Sequence, residues 1–402
     1  MQSWKVKSLI GFAAGILLFG LAVCPVQAGF TSLYIFGDGV STTTNNTGGP
    51  ANLYYGFRYS NGRVWVELLA QQLGLTNNYW YSNNSSIHLS YTNLSASSTN
   101  WSYSSNNWSF YGDFSPILAT NINNFHQPSD AATALFVVWV NDADFVGDMG
   151  DLYVNYGTNI TQWTNAINQS LTNHWNIITN LYYAKNARTL IMPNAVDITE
   201  IPQFNGYPAA DKIFIRQRVI DFNAAFTTLL NQARASLSGI TIYEPDFFTL
   251  LNNVLTNATA YGLTNTVADL GQGNIESIDA VSAVNYNFPS ASINGYGTNY
   301  IFWDPTDPTA KFHAVLADVA QQLISPAQIT NLTVLNGNSQ LGVASLPIGL
   351  GGFVDGTTNL APVNWTSQTN FNSTNATQTI IVPVSGPMQF YRLRFPFTWS
   401  WP

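Results

Sequence analysis

The sequence predicts an α/β protein, a parallel central sheet covered by helices on both faces, with a small all-β appendage at its C-terminal end. Three observations predict it. From Gly29 to about Ser325, short apolar runs alternate with segments of helical period, the order that builds parallel sheets. The first run, Leu33 to Phe36, enters a tight turn of small residues, Gly37-Asp38-Gly39, and in such sheets function gathers where strands end. After Ile324-Ser325-Pro326 the helical period stops, and short alternating runs separated by turn signals follow.

The elements follow in chain order. Residues 1–28 carry Lys5 and Lys7, an apolar run from Leu9 to Val23, and the small-residue ending Val26-Gln27-Ala28. This is the pattern of a secretory signal peptide, giving a mature chain from about Gly29 that is secreted, periplasmic or cell-surface. The apolar run is shorter than the ~20 residues a spanning helix needs, and no later run is apolar enough to span. Cys24 is the only cysteine, so the mature protein is expected to have neither disulfide nor thiolate metal site.

Within residues 29–327, the predicted strands are Leu33–Phe36, Ala134–Val140, Thr189–Met192, Gly239–Tyr243 and Asn299–Trp303. The predicted helices are Arg63–Leu73, Asn159–Tyr183, Asp211–Leu237, Pro245–Leu255 and Thr309–Leu323. In the first of these, Trp65, Leu68, Leu69 and Leu73 form one apolar stripe. Asn77 to Asp113 interrupts the rhythm with aromatics, Ser and Asn, and reads either as a solvated insertion or as a binding surface. Residues 328–402 read as the last strands of a sandwich, with Trp365 and Phe390-Tyr391 as core aromatics.

Charged residues make up 8% of the chain and hydrophobic ones 46%. The surface is therefore polar through amides and hydroxyls, and the core is large. Without Lys5 and Lys7, 11 basic residues face 21 acidic ones, a net charge of −10. That balance argues against nucleic acid and anionic membranes as partners.

The turn "IFGDGVSTTTNN" is followed by "LYYGFRYSNGRVWVELLAQQLGL" (Leu53 to Leu75). Further on come "ALFVVWVNDADF", "LIMPNAVDITEIP", "FNAAFTTLLNQ", "AYGLTN" and "YIFWDPTDPTAKFH". Together and in this order they resemble the blocks of the SGNH, or GDSL, esterase and lipase family. The resemblance implies a three-layer α/β/α sandwich of flavodoxin type. It also implies hydrolysis of lipid, carbohydrate or small-alcohol esters by a serine, a histidine, an orienting aspartate and oxyanion donors.

Carried over by position, most of that site is missing. Gly39 stands where the nucleophilic serine belongs, beside Asp38, and Asp307 stands where the histidine belongs. Asp304, the orienting acid, is retained, and the oxyanion asparagine falls on Asn141 or Ala143, depending on the alignment. The second block, expected in Leu89 to Asn100, has no clear oxyanion glycine. Ser41 is the candidate substitute nucleophile, although its position directs it along the following segment. His313 falls six residues beyond Asp307, on the other side of a helix, and reads as a packing residue. His88, His126 and His174 have no role in the resemblance.

Asp304 and Asp307 are expected side by side, with Asp38 and either Asp142 or Asp144 in the same cleft. Contacting carboxylates share a proton, recruit a cation or separate. No cofactor is predicted except a divalent cation at Asp142, Asp144, Asp304 and Asp307; the alternative is a decayed pocket with Asp307 bonded to backbone. Three functions follow. The leading one is an inactive exported pseudo-hydrolase that retains a pocket for a lipid or carbohydrate ester. The second is an active esterase using Ser41, and the third is a cation-dependent binder using the Asp cluster.

Overall fold

The computed structural model describes residues 29–43, 53–75, 106–263, 267–269, 275–282, 290–360, 362–384, 389–395 and 400–401. The signal-peptide expectation, most of the Asn77–Asp113 stretch, the second block at Leu89 to Asn100, and His88 lie outside these residues.

The first half of the chain supplies β1 (Leu33–Gly37), α1 (Trp65–Gln72), β2 (Asn107–Ser109), α2 (Ser115–Asn124), β3 (Leu135–Trp139) and three further helices, α3 (Asn141–Val146), α4 (Asp148–Tyr156) and α5 (Ile160–Ala184). Then come β4 (Thr189–Ile191), α6 (Ala209–Ser236), β5 (Thr241–Tyr243), α7 (Phe247–Thr256), the hairpin of β6 (Val267–Asp269) and β7 (Ile275–Ser277), and α8 (Ala310–Ile324). Five strands form one parallel sheet in the order β2-β1-β3-β4-β5. Every residue of β1 and β3 is buried, as covering helices on both faces require. On the described residues, no helix is long and apolar enough to cross a membrane.

Strand order reverses between β1 and β3, which are neighbours in the sheet although β2 lies between them in sequence. In sheets of this order, ligands bind in the crevice outside the strand ends at such a switch point. The turn after β1 and the turn after β3 therefore open onto the same crevice.

One expected strand is absent and one unexpected strand is present. Asn299–Trp303 is not a strand; only isolated bridges join Phe302 to Asp279 and Pro308. The chain folds back at once, with the Trp303 amide donating to Asp307 O and the Thr309 amide to Ile301 O, so no length remains for a ladder. In its place β2 completes the sheet. Its sequence, Asn-Trp-Ser, is polar because the Asn107 amide group donates inward to Ser41 O and Thr43 Oγ1, holding the first turn from beneath.

Glu67 starts α1. Val64 has no side-chain acceptor with which to cap the helix, and the Glu67 carboxylate instead accepts the Val64 amide at 3.0 Å. The same carboxylate receives Arg58 Nε at 2.7 Å and Nη2 at 2.5 Å, and both side chains are buried. Burial alone would raise the Glu67 pKa; Arg58 more than offsets it and holds the carboxyl below its usual range.

The C-terminal strands are β8 (Gln328–Leu335), β9 (Asn338–Ala344), β10 (Gly351–Thr357), β11 (Thr366–Asn372), β12 (Gln378–Pro383), β13 (Phe390–Arg394) and β14 (Ser400–Trp401). They form two antiparallel sheets, β11-β10-β13-β14 and β12-β9-β8, which share a core of their own that includes Leu341, Val343, Val354, Ile380, Val382 and Leu393. The appendage is thus a complete small sandwich, not the last strands of one. Trp365 is not in its core: it lies half-buried under Arg392, 4.7 Å from the guanidinium. Phe390 is also half-buried, and Tyr391 only borders the core. The sandwich is tied to the back of the α/β layer by Ile348 N–H to Gln72 O at 3.1 Å and Gln321 Nε2 to Ser345 O at 3.5 Å.

Candidate ligand site at the strand ends

A cavity of about 300 Å³ opens at the switch point. Three carboxyls close enough to repel one another make its polar end: Asp38 from the β1 turn, Asp142 from the start of α3, and Asp307 from the loop before α8. Its walls are apolar, with Phe114, Trp139, Val146, Leu251, Phe312 and Leu316 prominent among them. One polar end and a hydrocarbon body suit an amphiphilic ligand, and the volume falls at the lower edge of the ~300–1,000 Å³ typical of small-molecule sites.

The resemblance's nucleophile and base positions face each other here. A Cβ built on Gly39 would stand 3.4 Å from Asp307 Oδ1 and 2.9 Å from Tyr111 Cδ2. Tyr111, 57% exposed, therefore lies over Gly39. It stacks on Tyr59 with ring centroids 4.7 Å apart.

Asp304 sits behind Asp307. Its Oδ1 accepts the amides of Thr306 and Asp307, and its Oδ2 accepts the Tyr54 hydroxyl at 3.0 Å. Asp307 Oδ2 accepts the Thr306 hydroxyl at 2.8 Å, so Asp307 is bonded to a side chain and not, as expected of a decayed pocket, to backbone. Asp304 lies outside the cavity lining.

Sequence alone left two alternatives open here, and the first turn of α3 bears on both. Asp142 lines the cavity and Asp144 does not. Asp144 instead accepts the Ser115 amide at 2.8 Å and the Ser170 hydroxyl at 2.5 Å, joining α3 to α2 and α5. Likewise Ala143 lines the cavity with a methyl group, whereas the buried Asn141 donates its Nδ2 to Pro193 O at 2.8 Å. Neither position offers a side-chain amide to an oxyanion. Ser41 is buried away from the cavity and accepts Trp65 Nε1 at 3.0 Å. His313 is buried with Nδ1 accepting the Trp65 amide, and His174 is buried with Nδ1 against Ser170 O. His126 lies exposed.

No family model matches the chain, and no curated protein matches it.

Electrostatics set this site apart. Burial drives the carboxyls of Asp38 and Asp307 well above the ordinary range, followed by repulsion from Asp142 and Asp304 respectively. Burial also raises Asp304, and it pushes Asp142 up to about 7 against the pull of the amides at the start of α3. Among the described residues, no group of three or more His, Cys, Asp or Glu side chains is arranged to hold a metal ion.

A pH dependence follows. A carboxyl raised on folding gives stability that is complete below its unfolded value, near 3.9, and is lost as pH climbs through the folded one. For Asp142 that loss runs from the unfolded value up to about pH 7, and for the buried Asp318, pushed up to about 8 by burial, it continues to about pH 8. His313, depressed by burial to about 3, works the other way, but only below its unfolded value near 6.5. Denaturant titrations are thus expected to give lower stability at pH 8.5 than at pH 6.5, and Asp318→Asn should flatten the fall. Equal stabilities at the two pH values would contradict this electrostatic picture.

Proposed function

We propose that this chain is an exported SGNH-type pseudo-hydrolase: it keeps the strand-end pocket of an ester hydrolase and binds a ligand there without cleaving it. The observation that carries the reading is the approach of Gly39 to Asp307, 3.4 Å from a built Cβ to Oδ1, at the mouth of the apolar cavity. A serine and a histidine at those two positions would meet. Neither is present, and the chemistry needs both an activated nucleophile and its base.

An apolar cavity with one polar end supports a ligand such as a lipid or carbohydrate ester with a short chain. Export rests on residues 1–28, whose pattern is that of a signal peptide. The active-esterase reading gains nothing from Ser41, whose hydroxyl is held by Trp65 outside the cavity. Purified protein is expected to hydrolyse a short-chain nitrophenyl ester no faster than a heat-denatured blank. Turnover well above the blank that Ser41→Ala abolishes would overturn the proposal and establish a rearranged nucleophile.

A further inference from the structure

Asp142 presents an anomaly within the cavity. Its side chain is only 6% exposed, it lines the pocket, and its Oδ1 has no hydrogen-bond partner. A buried carboxylate oxygen without a partner is costly to the fold. Asp38 and Asp307 line the same end of the cavity, with Asp304 behind them.

Among the described residues, no lysine or arginine is seen in an ion pair with Asp38, Asp142, Asp304 or Asp307. Eleven of the chain's thirteen lysines and arginines follow residue 28, and all eleven lie among the described residues. Their ion pairs include those to Glu67, Asp197, Asp221, Glu244 and Asp355. Lys185 and Lys311 bond instead to Phe125 O and Asn299. None of these pairs reaches Asp38, Asp142, Asp304 or Asp307.

We propose that the cavity selects an alkylammonium ligand, whose positive head is received by Asp38, Asp142 and Asp307 and whose hydrocarbon lies against Phe114, Val146, Leu251 and Leu316. A primary ammonium has three N–H donors, one for each carboxyl at the polar end, and the ionised Asp142 carries the charge that answers it. Charge-assisted bonds of this kind are roughly twice as strong as neutral ones. Tyr111, in the lining, and Tyr59, stacked on it, supply ring faces that also favour a cation at the mouth. The same acids disfavour a carboxylate-headed lipid by like-charge repulsion and leave a neutral alcohol without its strongest contact.

This assignment rests on the cavity being a ligand pocket, and the test separates the two claims. Octylammonium, 1-octanol and octanoate are titrated into the purified protein by calorimetry at pH 8 and low ionic strength, where Asp142 is ionised. Octylammonium is expected to bind at least about tenfold more tightly than 1-octanol, since an unpaired buried charge gains a partner, and octanoate is expected to bind least. In Asp142→Asn, and independently in Asp307→Asn, the ratio of octylammonium to 1-octanol affinity should collapse toward unity. Octanol or octanoate binding as tightly as octylammonium would overturn the ammonium assignment and leave the pocket standing. An unchanged ratio in both variants would likewise overturn it. Absence of binding by all three would overturn the pocket as well.

Discussion

Replacing Arg58 by alanine is expected to cost about 3–5 kcal/mol of folding stability, the usual penalty for leaving one member of a buried ion pair uncompensated. Arg58 is 1% exposed and Glu67 is fully buried. The guanidinium fork supplies two of the bonds that keep the Glu67 carboxylate ionised. Without it, burial dominates, and Glu67 must take a proton or drag water into the interface. The same carboxylate accepts the Val64 amide, so the start of α1 loosens too. Urea unfolding of Arg58→Ala and of Arg58→Met/Glu67→Leu checks this. The double substitution replaces the pair with hydrocarbon and should recover most of the loss. A single-variant loss below about 1 kcal/mol, the scale of an exposed pair, would contradict the pair's role.

The second large effect lies at the mouth of the cavity. Gly39→Ser together with Asp307→His is expected to produce ester hydrolysis about 10²-fold or more above either single variant, the contribution of a positioned general base. Neither change works alone: a serine without a base is a weak nucleophile, and a histidine without the serine has nothing to activate. Two features hold the gain down. Tyr111 must swing aside, because the new Cβ would lie 2.9 Å from its ring. Asn141 is bonded to Pro193 O and Ala143 has only a methyl, so a side-chain oxyanion donor is missing, a defect of about 10²–10³ in rate. Tyr111→Ala added to the pair should raise the rate further.

Much of this architecture was legible in the sequence. The apolar runs at Leu33 and Leu135 became adjacent inner strands, where a short continuous apolar run is covered on both faces. The helices from Ile160 and Ala209 announced themselves by length. The strand at Asn107 was hidden because its side chains serve the neighbouring turn through polar bonds and show no apolar run. Asn299 to Trp303 misled for the opposite reason: it is apolar because Tyr300, Ile301 and Trp303 are buried, yet its backbone turns back at Asp307.

The site was legible in part. That Asp38, Asp304 and Asp307 cluster followed from the order of the motifs. Which of Asp142 and Asp144 faces the cavity depended on the phase of a six-residue helix, and a shift of two residues turns a helical side chain by about 200°. No sequence signal distinguished the bonded carboxyl of Asp144 from the unpartnered oxygen of Asp142. That difference is a property of three-dimensional neighbours, and it is the observation on which ligand charge was inferred.

The central claim is that the strand-end cavity holds the positions of a nucleophile and its base with both groups removed. The most direct measurement is hydrolysis of a short-chain nitrophenyl ester by the parent, by Gly39→Ser, by Asp307→His and by the double variant, each against its heat-denatured blank. The account predicts a silent parent, two silent single variants and an active double variant. A parent that turns over ester above its blank, or a folded double variant as silent as the single variants, would contradict it.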